Sequence, residues 1–181
     1  MIAARHNPFN DQRLDAIDYI DPQGVVSSVR ARWDAANRRG AILGPHGSGK
    51  TALLRAVHRA LVEEHRPAVL LRIDRAVPDL SDLPIDTALL VDGAETLGYL
   101  GLGRFLRRAR ARAVLLTVHR ACPLPTIHRT SVSAARVEQL IAALAPGDAM
   151  ALLPHVPRLL HAHRGNLHEI LRSLYHLVAD R

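Results

Sequence analysis

Gly40-Ala41-Ile42-Leu43-Gly44-Pro45-His46-Gly47-Ser48-Gly49-Lys50-Thr51 is the stretch that decides the fold. Its first four residues read as a short buried strand. The strand runs into Gly44–Thr51, which satisfies G-x-x-x-x-G-K-[ST], the pattern of a loop that cradles phosphates. Beyond the loop, Leu54, Val57 and Leu61 recur at the spacing of a helix face. Strand, loop, helix is the order such a loop requires. With glycine at about 7% of average usage, the four fixed positions would coincide by chance in a chain this long at odds of roughly one in a hundred.

Lys50 is the only lysine among the 24 Lys and Arg residues of the chain. A chain that uses Arg everywhere else keeps one compact ammonium where a point charge must reach between β- and γ-phosphate oxygens, a role a planar guanidinium fills poorly. The expected ligand is therefore a nucleotide with Mg²⁺. The amides of residues 45–51 and the helix N-terminus hold the phosphates, which assigns Gly44, Pro45, His46, Gly47, Ser48, Gly49, Lys50 and Thr51 to the binding site. The Thr51 hydroxyl binds the metal. His46 contributes through the loop backbone, with its ring expected to point outward.

The chain has 181 residues and is 48% hydrophobic, which fits one α/β domain with a small appendage and ample material for a core. Its start lacks the apolar stretch of a secretory leader, and no apolar run approaches the roughly 18 residues of a membrane span. Cys122 is the only cysteine, so no internal disulfide forms and the cytoplasm is the default compartment. A net charge of +7 is compatible with an anionic partner such as DNA. Aromatics at 3% are too few for a single-strand stacking platform. Eleven His carry no H-E-x-x-H and no Cys pair, so a structural metal is not expected.

Three segments are expected: an N-terminal segment 1–24, a nucleotide-binding core 25–130, and a small helical lid 131–181. In the first, Leu14, Ile17, Tyr19 and Ile20 are the packing points. A helix from about Val25 to Asn37 turns Val26, Val29 and Trp33 inward. Four apolar segments, Gly40–Leu43, Ala68–Ile73, Thr87–Val91 and Ala113–Val118, read as strands, with Thr126–His128 as a short fifth. Strands alternating with helices predict an α/β fold of the P-loop kind, a parallel sheet of about five strands flanked by helices. Asp74–Asp86, with two prolines and four aspartates, predicts an exposed loop. From Ser133 onward the chain is predicted helical. Ser133 caps a helix bearing Val137, Leu140, Ile141 and Leu144, and Asn166 with Glu169 resembles a capping box before Ile170, Leu171, Leu174 and Leu177. Pro154 and Pro157 break the stretch between.

A phosphate loop needs a carboxylate opposite it, at the C-terminal end of a neighbouring buried strand. Ala88-Leu89-Leu90-Val91-Asp92 supplies one, and Asp92 is assigned to Mg²⁺; the bland alternative is a turn residue before Gly93. Glu95 has two readings. It is either the base that activates water or an acid that complements a helix dipole. Thr117 and His119, at the end of the Ala113–Val118 strand, are both candidates to touch the γ-phosphate or orient water, against a merely satisfied strand-end hydroxyl. Arg104, Arg107 and Arg108 share one helix face with Arg110 and Arg112 close behind, a finger for a neighbour's phosphate, a DNA contact, or a solvated face.

Together the Gly44–Thr51 loop, the Leu89–Asp92 strand, Thr117 as a sensor-like residue and the helical tail resemble the AAA+ branch of P-loop ATPases over roughly residues 25–181. Asn7-Pro8-Phe9 resembles the start of the secretion- and transposition-associated bacterial members. The resemblance implies a strand between the two phosphate-binding strands, catalytic roles for Glu95 and Thr117, assembly with further copies, and an Arg at the start of a lid helix. This chain departs from it twice. The base usually follows the metal-binding Asp directly, where Gly93 stands. The lid arginine's place in Gly165-Asn166-Leu167-His168 is taken by His168, with Arg172 one turn further as its substitute against the nucleotide. The function implied is an ATPase that switches contacts with a protein or nucleic-acid partner. A nucleotide sensor without hydrolysis is the non-enzyme alternative, and a small-molecule kinase, for which no acceptor insertion is seen, the enzymatic one.

Overall fold

The computed structural model describes residues 8–9, 24–73 and 79–179. Leu14, Ile17, Tyr19, Ile20 and Asn7 lie outside the described residues, as does the 74–78 part of the predicted loop. Two compact units divide the described chain. The first takes in residues 24–44 and 50–130, the second Pro45–Gly49 and 131–179 together with Phe9.

In the first unit, α1 (Val25–Ala35) leads to β1 (Arg39–Leu43), and α2 (Lys50–Glu63) to β2 (Ala68–Arg72). β3 (Ala88–Asp92) passes through a 3₁₀ turn (Ala94–Leu97) into α3 (Gly98–Arg108), which is followed by β4 (Val114–Val118) and β5 (Thr126–Arg129). All strand pairs are parallel, in the order β2-β3-β4-β1-β5. The sequence predicts these five strands and their α/β alternation, and β4 does lie between β1 and β3.

The apolar strands alternate between two packed faces. Ala41, Leu43, Leu89, Val91, Val114, Leu116 and Val118 pack with Leu102 and Phe105 of α3. The alternate residues Ile42, Leu90 and Leu115 are fully buried, as are Val29 and Trp33 of α1 and Leu53, Leu54, Val57 and Leu61 of α2. Trp33 also donates its indole N–H to Val114 O at 2.9 Å, which anchors α1 to β4. Val26, expected inside, is only half-buried, and α1 stops at Ala35 because Asn37 and Arg38 take positive φ. β2 is half-buried rather than buried because it is an edge strand.

The predicted exposed loop is partly packed. Leu80 is buried, and the buried Arg112 donates to the carbonyls of Leu80, Leu83 and Pro84. Arg112 is thus internal and does not belong to the basic face. Arg104, Arg107, Arg108 and Arg110 are exposed.

The second unit is helical apart from its loop: α4 (Ala134–Leu144), α5 (Ala149–Leu152), α6 (Val156–Ala162) and α7 (Leu167–Ala179), joined by 3₁₀ turns at Pro146–Asp148 and Leu153–His155. The Ser133 hydroxyl accepts the Arg136 N–H, as its cap position predicts. Val137, Ile141, Ile170, Leu171, Leu174 and Val178 form the core with Phe9. Leu144 and Leu177, expected inside, are half-buried, since Val178 takes the inner position on α7. Pro154 and Pro157 occupy first-turn positions of the Leu153–His155 turn and of α6, where a missing N–H costs nothing, so they start elements as well as break them. Asn166 caps α7 through its side chain, but its own N–H goes to His163 O instead of to Glu169, so the capping box is half formed.

Candidate functional site

The first unit brings Lys50, Thr51, Asp92, Glu95, Thr117 and His119 to one end of the sheet. β3 ends in Asp92 and β4 in Thr117 and Val118, while α2 opens with Lys50 and Thr51, so strand ends and a helix start deliver the six side chains to the same place. The Thr51 hydroxyl lies 3.1 and 3.0 Å from the two Asp92 carboxylate oxygens. Thr117, 1% exposed, donates to Asp92 Oδ1 at 2.7 Å and accepts the Gly93 N–H at 3.1 Å. Thr117 therefore fixes the Asp92 carboxylate, with both its hydroxyl roles engaged.

Lys50 is 6% exposed, and its Nζ donates to Gly44 O at 2.9 Å. The same ammonium stands 3.1 Å from His119 Nδ1, whose ring reaches Glu95 Oε1 through Nε2 at 2.7 Å. With a proton on Nε2 the ring donates to Glu95 and Nδ1 accepts from Lys50, while Gly44 O, also 3.1 Å from Nδ1, takes its proton from the Lys50 ammonium. Burial pushes the Lys50 ammonium below the usual lysine range, while the carboxylates of Glu95 and Asp92 pull it back up. Lys50, His119 and Glu95 form a chain of contacts that ends 3.1 Å or less at each step. The pairing of His119 with Glu95 was not read from the sequence.

Gly93 explains why no carboxylate follows Asp92 directly. It has φ +77°, and a Cβ there would stand 2.8 Å from Ile73 O. The 3₁₀ turn that begins next carries Glu95 instead, and His119 holds it.

The second unit holds the middle of the loop. Ser48 Oγ donates to Pro45 O at 2.8 Å, and Gly47 and Gly49 take φ +67° and +86°. Pro45 and His46 are exposed, His46 as expected. Gly47 O accepts the Leu167 N–H at 3.0 Å, a contact the sequence did not announce. His168 and Arg172 of α7 are both exposed.

A hydroxyl and a carboxylate are hard oxygen donors, the chemistry of a Mg²⁺ site that relies on water and phosphate for its remaining ligands. Among the described residues no group of three or more His, Cys, Asp or Glu side chains forms an all-protein cage, and a Mg²⁺ site of that kind needs none. Among the described residues no single helix is long and apolar enough to cross a membrane. No family model matches the chain, and no curated protein matches it.

Proposed function

We propose that the chain is a P-loop ATP-binding protein of the AAA+-like kind, which takes ATP with Mg²⁺ and hydrolyses it slowly or on stimulation by a partner. Its nucleotide state would switch contacts with a protein or nucleic acid. One observation carries the reading: the Thr51 hydroxyl, next to the lone lysine, meets both oxygens of a strand-end carboxylate 41 residues away, at 3.0 and 3.1 Å. A loop match alone does not require that meeting.

In this reading Thr51 and Asp92 hold Mg²⁺, which when bound offsets phosphate charge. Thr117 keeps the Asp92 carboxylate oriented. Lys50 exchanges its neutral carbonyl partner for an anionic phosphate oxygen, so that both ends of the hydrogen bond carry charge. Loop amides at 45–51 take the remaining phosphate oxygens. Glu95 accepts the proton of the attacking water, and His119 holds its carboxylate in place for that step.

A second reading, binding without hydrolysis, is favoured by Gly93, where backbone geometry excludes the usual carboxylate. Single-turnover cleavage of Mg-ATP by the wild type and by Glu95→Gln, with and without DNA, separates the two. Loss of cleavage with ATP affinity retained in Glu95→Gln supports hydrolysis by Glu95. Equal rates in both proteins assign Glu95 to the helix dipole, and no cleavage by the wild type supports the sensor.

A further inference from the structure

We infer that the start of α7 sets the geometry of the phosphate loop, with Asn166 and the Leu167 N–H as positioning groups that raise the loop's affinity for a nucleoside triphosphate. This rests on the nucleotide-binding reading above, and the helix start itself touches no ligand in it.

The first four N–H groups of a helix have no partner within it. In α7 the Leu167 N–H donates to Gly47 O at 3.0 Å, and the His168 N–H to Asn166 Oδ1 at 3.1 Å. Asn166 is pinned from its other sides too, with its N–H on His163 O at 2.9 Å and its carbonyl accepting the Ile170 N–H at 3.0 Å. It is a rigid stop, and the loop is pressed against it: a Cβ on Gly47 would lie 1.9 Å from Asn166 Oδ1. Behind it α7 is anchored by buried Ile170, Leu171, Leu174 and Val178.

The carbonyl of Gly47 and the N–H of Ser48 belong to one planar trans peptide and point in opposite directions. Holding Gly47 O on Leu167 therefore aims the Ser48 N–H away from α7. A loop that binds phosphate through its amides depends on such orientations. Releasing the carbonyl frees the peptide to rotate, and part of the binding energy then goes into fixing it again. The coupling is reciprocal: a nucleotide that needs this peptide orientation tightens the hold of α7 on the loop.

Leu167→Pro tests this directly. Proline is favoured at the first helical position, so it removes the N–H without breaking α7; its Cδ takes the place of the hydrogen that faces Gly47 O and so also displaces the loop peptide, while Leu167→Ala controls for the lost side chain. We expect Leu167→Pro to bind Mg-ATP about tenfold more weakly than Leu167→Ala, with equal melting temperatures. Asn166→Ala should also weaken binding, and Asn166→Ser, which restores a capping oxygen, should recover it. In the wild type, Mg-ATP should slow hydrogen exchange at the Leu167 amide. Should the wild type bind no Mg-ATP, the nucleotide reading fails. The latch then still stands or falls on exchange at Ser48, which it requires to be faster in Leu167→Pro than in Leu167→Ala. Equal affinities and equal Ser48 exchange in the two variants overturn it.

Discussion

Lys50 is where the sequence speaks most directly, and its surroundings sharpen what it says. The ammonium is nearly enclosed, bonded to Gly44 O and set against His119 Nδ1. A guanidinium is wider and planar, so Lys50→Arg keeps the charge but cannot occupy this space without displacing the imidazole. A nucleotide titration should show Lys50→Ala losing most of its Mg-ATP affinity, with Lys50→Arg at least tenfold weaker than the wild type. Wild-type affinity in Lys50→Arg would mean that the lone lysine carries no special fit. Motif spacing made Lys50, Thr51 and Asp92 legible because each type is tied to a fixed chemistry. Thr117 and His119 were legible only as candidates, since a hydroxyl and an imidazole at a strand end have several partners in reach. Their actual partners, Asp92 for one and Lys50 and Glu95 for the other, depend on the register of β4 between β1 and β3.

At the scale of elements, the five strands were legible because both faces of a parallel sheet are covered, which leaves near-continuous apolar runs in the sequence. Half-burial at the β2 edge and the packing of the loop around Arg112 were not, because they depend on where a segment sits in the sheet and not on its own pattern. The turn after β3 shows how one element constrains the site. Gly93 combines a left-handed backbone with contact to Ile73 O, so Gly93→Ala should cost about 2–3 kcal/mol in denaturant unfolding. Gly24 has φ +64° but nothing within 4 Å of an added Cβ, so Gly24→Ala should cost only about 1 kcal/mol. Equal costs at the two positions would show that Ile73 O exerts no steric exclusion at Gly93.

At the scale of the whole molecule, the hydrolysis proposed above can be tested for dependence on a second copy of the chain. In the first unit Arg72 stands in register with Asp92, while Arg104, Arg107, Arg108 and Arg110 are exposed on and after α3. An arginine brought to the γ-phosphate in trans is worth a factor of about 10³–10⁵ in the rate of phosphoryl transfer where such fingers operate. A chain that lends its α3 arginines to a neighbour should therefore turn over slowly when dilute, and its rate per chain should rise with protein concentration. Mixing makes the test specific. Lys50→Ala cannot hold phosphate but keeps its arginines, while a chain with Arg104, Arg107 and Arg108 changed to Ala keeps its loop but lends nothing. Each alone should be nearly inactive, and a mixture of the two should recover a measurable fraction of wild-type hydrolysis, because the arginines of one complete the loop of the other. A specific activity that does not change with concentration, together with a mixture no more active than the sum of its parts, would make the α3 arginines a solvated face and the catalytic site the property of a single chain.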